Sequence, residues 1–199
     1  MHNVLVIHSS LNQGKGNSSQ LVAQYVQKLS QRGNVNVVTR DLMQDNLPHL
    51  SAQEMSTWMI PVEERSAEAQ QQAAFSDRIV EEVHNADEIV LGVPMYNFGI
   101  PSVLKAWIDR LARAGVTFKY TETGPVGLLK DKKVTIIAAR GGIYAGTEFD
   151  TQSAYLTHFF NFVGLTDISF IYAEGLAMGD ESAQQAMSTA NQKMDELAA

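Results

Sequence analysis

The chain has 199 residues, no cysteine, and a formal net charge of -7 from 15 basic and 22 acidic side chains. That length suits one domain with a sizeable core, because independent domains run to roughly 100–200 residues. The acidic balance argues against a nucleic-acid partner, which would need a basic stripe, and the lack of cysteine excludes disulfides, thiolate nucleophiles and cysteine metal sites.

Val4 to Ile7 is the first apolar run and is expected to be a buried strand. Only Met1-His2-Asn3 precedes it, the run is too short for the apolar part of a signal peptide, and no later run approaches the ~20 residues of a membrane helix. A cytoplasmic protein with no membrane partner is the expectation. The strand feeds Ser9-Ser10-Leu11-Asn12-Gln13-Gly14-Lys15-Gly16-Asn17-Ser18-Ser19, and a helix is expected to begin near Ser18 or Ser19, with Leu21, Val22, Tyr25, Val26 and Leu29 at helical spacing. Free N–H groups and the macrodipole make such a junction an anion site, to which the hydroxyls of Ser10, Ser18 and Ser19 add donors. Capping of the helix by Ser18 is an equal alternative use. Gly14-Lys15-Gly16 lacks the full phosphate-loop spacing, and the third glycine of a dinucleotide fingerprint is replaced by Ser19. Asp41 follows the second strand, Val35 to Thr39, where an acidic ribose ligand stands in NAD-binding folds, so a flavin-free nicotinamide-dependent dehydrogenase stays open.

Gln44 to Arg65 has the polar, proline-containing character of an insertion, and a helix is expected over Ala67 to Val83. Ile89 to Val93 is a third strand. It opens into Pro94-Met95-Tyr96-Asn97-Phe98-Gly99-Ile100-Pro101-Ser102, a loop of aromatic, amide and glycine residues that suits a planar heteroaromatic ligand. Leu104, Trp107, Ile108 and Leu111 give the following helix its apolar face, and Val116 to Leu129 is a second insertion in which Thr123-Gly124-Pro125 would turn a hairpin. After the strand Val134 to Ala138, the loop Arg140-Gly141-Gly142-Ile143-Tyr144-Ala145-Gly146 should open at the same carboxyl edge as the loops of the first and third strands. A helix over Tyr155 to Val163, the strand Ile168 to Ala173 and a helix over Ser182 to Leu197 complete the chain. Such alternation defines an α/β fold: a five-stranded parallel sheet, order 2-1-3-4-5, with helices on both faces. His2, His8, His49, His84 and His158 show no metal-ligand spacing, so no metal is expected.

Several of these motifs, in this order, carry a resemblance. They are Val4-Leu5-Val6-Ile7-His8-Ser9-Ser10, the segment Val93 to Ser102, Ala112 to Glu122, Ala138-Ala139-Arg140-Gly141-Gly142 and Tyr172-Ala173-Glu174-Gly175. Over nearly its whole length the chain resembles the FMN-dependent NADH:quinone oxidoreductases, also called azoreductases. The resemblance implies a flavodoxin-like three-layer sandwich over residues 1–199 as a single FMN-binding domain, with one non-covalent FMN per chain, NADH as co-substrate and a homodimer as the active unit. It assigns the FMN phosphate to Ser10, Asn17 and Ser18, the flavin to Met95, Tyr96, Asn97 and Phe98, and the pyrimidine edge to Ala139, Arg140, Gly141 and Gly142. Phe118, Tyr120 and Phe162 would line the substrate cavity, partly across the dimer interface.

By the same resemblance NADH delivers hydride to FMN, leaves, and is replaced in the same cavity by a quinone or an aromatic azo compound, a ping-pong scheme. No side-chain acid is required, Tyr120 and Tyr144 being the candidate helpers. Trp58 and Ile60 are candidates for a lid, and Arg65 or Lys119 for contact with a 2′-phosphate. A flavodoxin-type electron carrier is the rival reading, against which the aromatic Phe118–Tyr120 arm argues for a roofed cavity.

Overall fold

A computed structural model describes residues 1–199. Five strands, β1 (His2–His8), β2 (Val35–Asp41), β3 (Glu88–Pro94), β6 (Lys133–Ala139) and β7 (Asp167–Ala173), pair in parallel in the order β2-β1-β3-β6-β7. The two remaining strands, β4 (Phe118–Thr121) and β5 (Gly124–Gly127), form a separate antiparallel hairpin. Within the large sheet alone the order is that of a doubly wound fold, and the hairpin is an insertion between its third and fourth strands.

Successive residues of β1 serve opposite faces, as the pleat requires. Val4 and Val6 pack with Leu21, Val22 and Tyr25 of α1 (Asn17–Arg32) and with Ala190 and Met194 of α7 (Asp180–Leu197). Leu5 and Ile7 join the larger cluster, which holds Val83 of α4 (Ala67–Asn85), Trp107 of α5 (Ser102–Leu111) and Phe160 of α6 (Thr151–Val163). Burial on both faces explains why the inner strands are continuous apolar runs. No helix is long and apolar enough to cross a membrane.

Three local expectations change. The first helix starts at Asn17 behind Gly16 and receives no side-chain cap, so Ser18 does not act as its N-cap. Helix α6 begins at Thr151 rather than Tyr155, because the Asp150 side chain accepts from the Ser153 N–H and caps it. Thr121 pairs with Gly124, so Glu122 and Thr123 turn the hairpin while Gly124 and Pro125 lie in its second strand.

The Gln44 to Arg65 segment contains α3 (Ala52–Thr57), preceded by the single turn α2 (Leu42–Asp45). Buried charge ties it to the core: Arg110 of α5 grips Glu54 through two 2.7 Å hydrogen bonds, and Arg65 donates to Asp77 at 2.6 Å and to the Ile60 carbonyl at 3.1 Å. Arg65 is thereby committed and is not a free cation for a 2′-phosphate. Trp58 stacks with the Arg113 guanidinium, 5.6 Å from its ring, and neither it nor Ile60 reaches the crevice described next.

Candidate active site

The sheet order reverses at β1, whose neighbours are β2 on one side and β3 on the other. Crevices in open α/β sheets form at the carboxyl ends of strands at such a point. Here the crevice is a hollow of about 240 Å³ bounded by the β1 loop, the start of α1, the ends of β3 and β6, and the loop after β7. A second hollow of about 580 Å³, reaching Leu11, Asn97 and the start of α5, adjoins it and shares Met95 and Tyr96.

At the α1 end, Ser10, Asn17 and Ser18 all line the smaller hollow. Ser10 is buried and its hydroxyl accepts from the Asn12 N–H at 3.2 Å. The Ser18 hydroxyl is buried with no partner in the protein, as is that of Ser19. A buried polar group in that state costs roughly 1–3 kcal/mol, which an acceptor seated in the hollow would recover. Together with the uncapped N-terminus of a 16-residue helix, the donor set matches a phosphate.

At the β3 end, Tyr96 and Gly99 exchange two backbone hydrogen bonds, 3.1 and 3.0 Å, around a two-residue turn in which Asn97 (φ 50°) and Phe98 (φ 63°) are both left-handed. Tyr96 also ties this loop to the first, its hydroxyl accepting from the Leu11 N–H at 3.2 Å. The N–H groups of Asn97 and Phe98 have no acceptor within the protein. The third loop repeats that arrangement. The carbonyls of Arg140, Gly141 and Gly142 accept from Leu176, Ala177 and Gly175 at 3.1, 3.0 and 2.9 Å, whereas the N–H groups of Gly141 and Gly142 are without partners. Of these donor residues Asn97 lines the larger hollow and Gly141 the smaller, and a backbone N–H left free beside a crevice favours negative charge in it.

Arg140 lines the smaller hollow, but its side chain is engaged elsewhere. Its N–H is used by the Ala173 carbonyl at 2.9 Å, and its guanidinium is wholly buried among Asp150 (2.8 Å), Glu174 (3.0 Å), Ser153 (2.9 Å) and Gln152 (3.2 Å), over the Tyr172 ring. The side chain therefore organises the loop from behind, and what Arg140 offers the hollow is its backbone. Burial opposes ionisation of Asp150, yet the Arg140 guanidinium and the Ser153 N–H and hydroxyl outweigh it and hold the carboxyl below its ordinary value. Ala139 lines the hollow, but its carbonyl accepts from the Met95 N–H at 3.1 Å, which leaves Gly141 and Gly142 as the donors of this loop.

The aromatic residues divide into two groups. Phe118 packs on Phe162 with centroids 4.3 Å apart and edge-on to Tyr120 at 5.5 Å, so the structure brings these three together, but none lines either hollow. The second group is Phe98, half exposed in the β3 loop next to Asn97, with Tyr144 edge-on at 5.6 Å and Phe149 at 6.0 Å; these three do not line either hollow but belong to the two loops that bound them. Tyr144 also crowds Gly142, where an added β-carbon would meet its hydroxyl at 2.7 Å.

Phe149 was invisible to periodicity because it is a lone apolar residue in a polar loop. Leu176 and Ala177, which wall the smaller hollow, were also missed, although Tyr172-Ala173-Glu174-Gly175 placed a fifth strand end at the same edge. Asp41 is not available for a ribose: its carboxylate accepts from the Met43 N–H at 3.1 Å and the Gln44 amide at 3.2 Å, capping the turn that follows β2.

A doubly wound sheet whose switch-point crevice pairs unpartnered hydroxyls at an uncapped helix N-terminus with free backbone donors is the arrangement of a flavodoxin-type protein. The family model described as flavodoxin-like fold matches residues 2–198. An FMN-dependent NADH:quinone oxidoreductase of Alteromonas mediterranea is 56% identical over 197 residues, covering 99% of this chain and 98% of that protein. One from Cellvibrio japonicus is 55% identical over 197 residues, 98% of each. Among solved structures, an FMN-dependent NADH-azoreductase from Bacillus anthracis in complex with FMN superposes with a TM-score of 0.85 at 29% identity, covering 100% of both chains. The chain belongs to the flavodoxin-like family of FMN-dependent NADH:quinone oxidoreductases.

Proposed function

We propose that this chain binds one FMN non-covalently in the switch-point crevice and uses NADH to reduce quinones to hydroquinones and aromatic azo compounds to amines. The observation that carries the reading is the buried, unpartnered Ser18 hydroxyl at the uncapped start of α1. Ser10, Asn17, Ser18 and the first N–H groups of α1 would hold the FMN phosphate. Met95, Tyr96, Asn97 and Phe98 would bear on the flavin, and the Gly141 and Gly142 N–H groups would serve its pyrimidine edge as donors that favour negative charge. FMN, when bound, supplies the two-electron chemistry between NADH and acceptor. A quinone consumes one NADH and a proton. Cleavage of an azo bond to two amines consumes two of each. Tyr144, beside Gly142, is the candidate proton source, and Tyr120 stands apart from the crevice.

Residues 1–199 act as one FMN-binding domain, a reading supported by a family match that spans 2–198. The active unit is a homodimer. Supporting this, Phe118, Tyr120 and Phe162 cluster away from the crevice of their own chain, with Tyr120 73% exposed, so a substrate role for them requires a second copy. A cytoplasmic location accords with NADH as electron donor.

The visible spectrum of the purified protein and stopped-flow oxidation of NADH test the reading together. Bound flavin that NADH reduces within the turnover time is expected. Flavin that NADH fails to reduce would favour an electron carrier, and NADH turnover without flavin a nicotinamide dehydrogenase, which the engaged Asp41 disfavours. A shared site for both substrates gives parallel double-reciprocal plots, and intersecting lines would demand a ternary complex. Sedimentation at assay concentrations should find a dimer, and a fully active monomer would remove the shared cavity.

A further inference from the structure

The Tyr96–Gly99 turn is built from two non-glycine residues in the left-handed region, a conformation that persists only where neighbouring structure holds it. The hold comes from the first two residues of α6. Thr151 donates its hydroxyl proton to the Phe98 carbonyl, and the buried Gln152 amide donates to the carbonyls of Pro94 at 3.0 Å and Gly99 at 3.3 Å. On its other side the Gln152 Oε1 accepts from Arg140 Nε at 3.2 Å. This amide has only one workable orientation, since carbonyls cannot donate and a guanidinium cannot accept. Arg140 continues to Glu174 at 3.0 Å, whose Oε1 accepts from the N–H groups of Tyr144 and Ala145, both at 2.9 Å. One connected set of hydrogen bonds thus runs from the β3 loop through Gln152 and Arg140 to the β6 loop, behind both pairs of free N–H donors.

We infer that Gln152 is a positioning residue for the flavin, the link that fixes the Tyr96–Gly99 turn relative to the Gly141–Gly142 donors. The inference rests on the FMN reading of the crevice. Gln152 lines neither hollow. It acts by holding two loops at one separation, so that donors meeting a reduced, negatively charged ring need no rearrangement.

Three variants test it: Gln152→Met, which keeps volume and loses the amide; Thr151→Val, which loses only the hydroxyl on the turn; and Ser153→Ala, which loses bonds to the Arg140 guanidinium and the Tyr172 hydroxyl but none to the Tyr96–Gly99 turn. The readouts are the FMN dissociation constant from quenching of free FMN fluorescence by apoprotein, the midpoint potential of the bound flavin, and the thermal midpoint of the apoprotein. Gln152→Met should weaken FMN about tenfold and Thr151→Val about threefold, each with a lower potential, and Ser153→Ala should stay within about twofold of wild type, given hydrogen bonds of ordinary net strength. Wild-type affinity and potential in Gln152→Met overturn the inference, as does an equal loss in Ser153→Ala. Should Gln152→Met fail to fold, Thr151→Val decides by the same criteria. Absence of quenching by the wild-type chain would overturn the FMN reading and this inference with it, whereas normal wild-type binding with unaffected variants overturns the inference alone.

Discussion

Gly16 faces Ser10 so closely that a β-carbon on Gly16 would fall on the Ser10 hydroxyl oxygen. Its backbone, at φ -70° and ψ 143°, is open to any residue, so crowding alone demands glycine here. Gly16→Ala should displace Ser10 and weaken FMN by roughly tenfold or more, the loss of one or more phosphate hydrogen bonds. Gly14, with nothing within 4 Å of the same added carbon, supplies the control: Gly14→Ala should bind within about twofold of wild type in the same fluorescence titration.

Ser18→Ala should move two measurements in opposite directions. The hydroxyl is buried and unpartnered in the protein alone, so its removal stabilises the apoprotein by about 1 kcal/mol while weakening FMN by about 0.5–1.5 kcal/mol. Denaturant unfolding of apoprotein beside FMN titration checks both signs. A hydroxyl that served only as a helix cap would instead destabilise the apoprotein when removed.

Gly141→Ala separates fold from binding. The added carbon meets only the Ala177 methyl, at 3.4 Å, so circular dichroism and apoprotein stability should hold. The extra methyl on a backbone that must approach the flavin should raise the FMN dissociation constant about tenfold. An unchanged constant would remove Gly141 from the site.

The Arg110–Glu54 pair is buried at both ends and doubly hydrogen-bonded. Glu54→Ala strands the guanidinium, which also donates to the carbonyls of Pro48 and Ala106 at 2.9 and 3.1 Å. A loss of about 3–5 kcal/mol is expected in urea unfolding. FMN affinity should change far less, since the pair stands beneath the insertion and not at the crevice.

His8, at the end of β1, has a buried Nδ1 with no partner, and burial pushes its pKa below 6.5 against the opposing pull of Asp41. The folded chain therefore resists the proton that the unfolded chain accepts. Its contribution is fully present above about pH 6.5 and is lost as pH falls toward the folded value. Thermal midpoints measured near neutrality and near pH 5.5 should fall further for wild type than for His8→Gln, in which this group no longer titrates. Equal falls would assign the acid sensitivity to carboxylates.

Much of the fold was legible because its signals are local. Val4-Leu5-Val6-Ile7 and Ile89 to Val93 are continuous apolar runs because helices cover both faces of the sheet, and each strand lies within one or two residues of its apolar run. The junction from Pro94 to Ser102 could be placed at a strand's carboxyl end for the same reason, and Gly141-Gly142 followed from their position after another. Helix α6 was cut short in the sequence since Thr151, Gln152 and Ser153 are polar, and polar residues at a helix start carry no periodicity.

From its sequence alone this protein could be assigned its alternating α/β architecture, the three loops that converge on a crevice and the residue types able to meet a flavin phosphate, because periodicity, glycine and hydroxyl chemistry act over a few neighbours. Tertiary structure alone decided which groups are already spent: Arg65 on Asp77, and Arg140 on Gln152 and Glu174, while the Ser18 hydroxyl and the Gly141 and Gly142 N–H groups stay free. A hydrogen-bonding group is committed by whatever the fold carries to within about 3 Å of it, and partners 12 to 58 residues away along the chain leave no trace in local pattern.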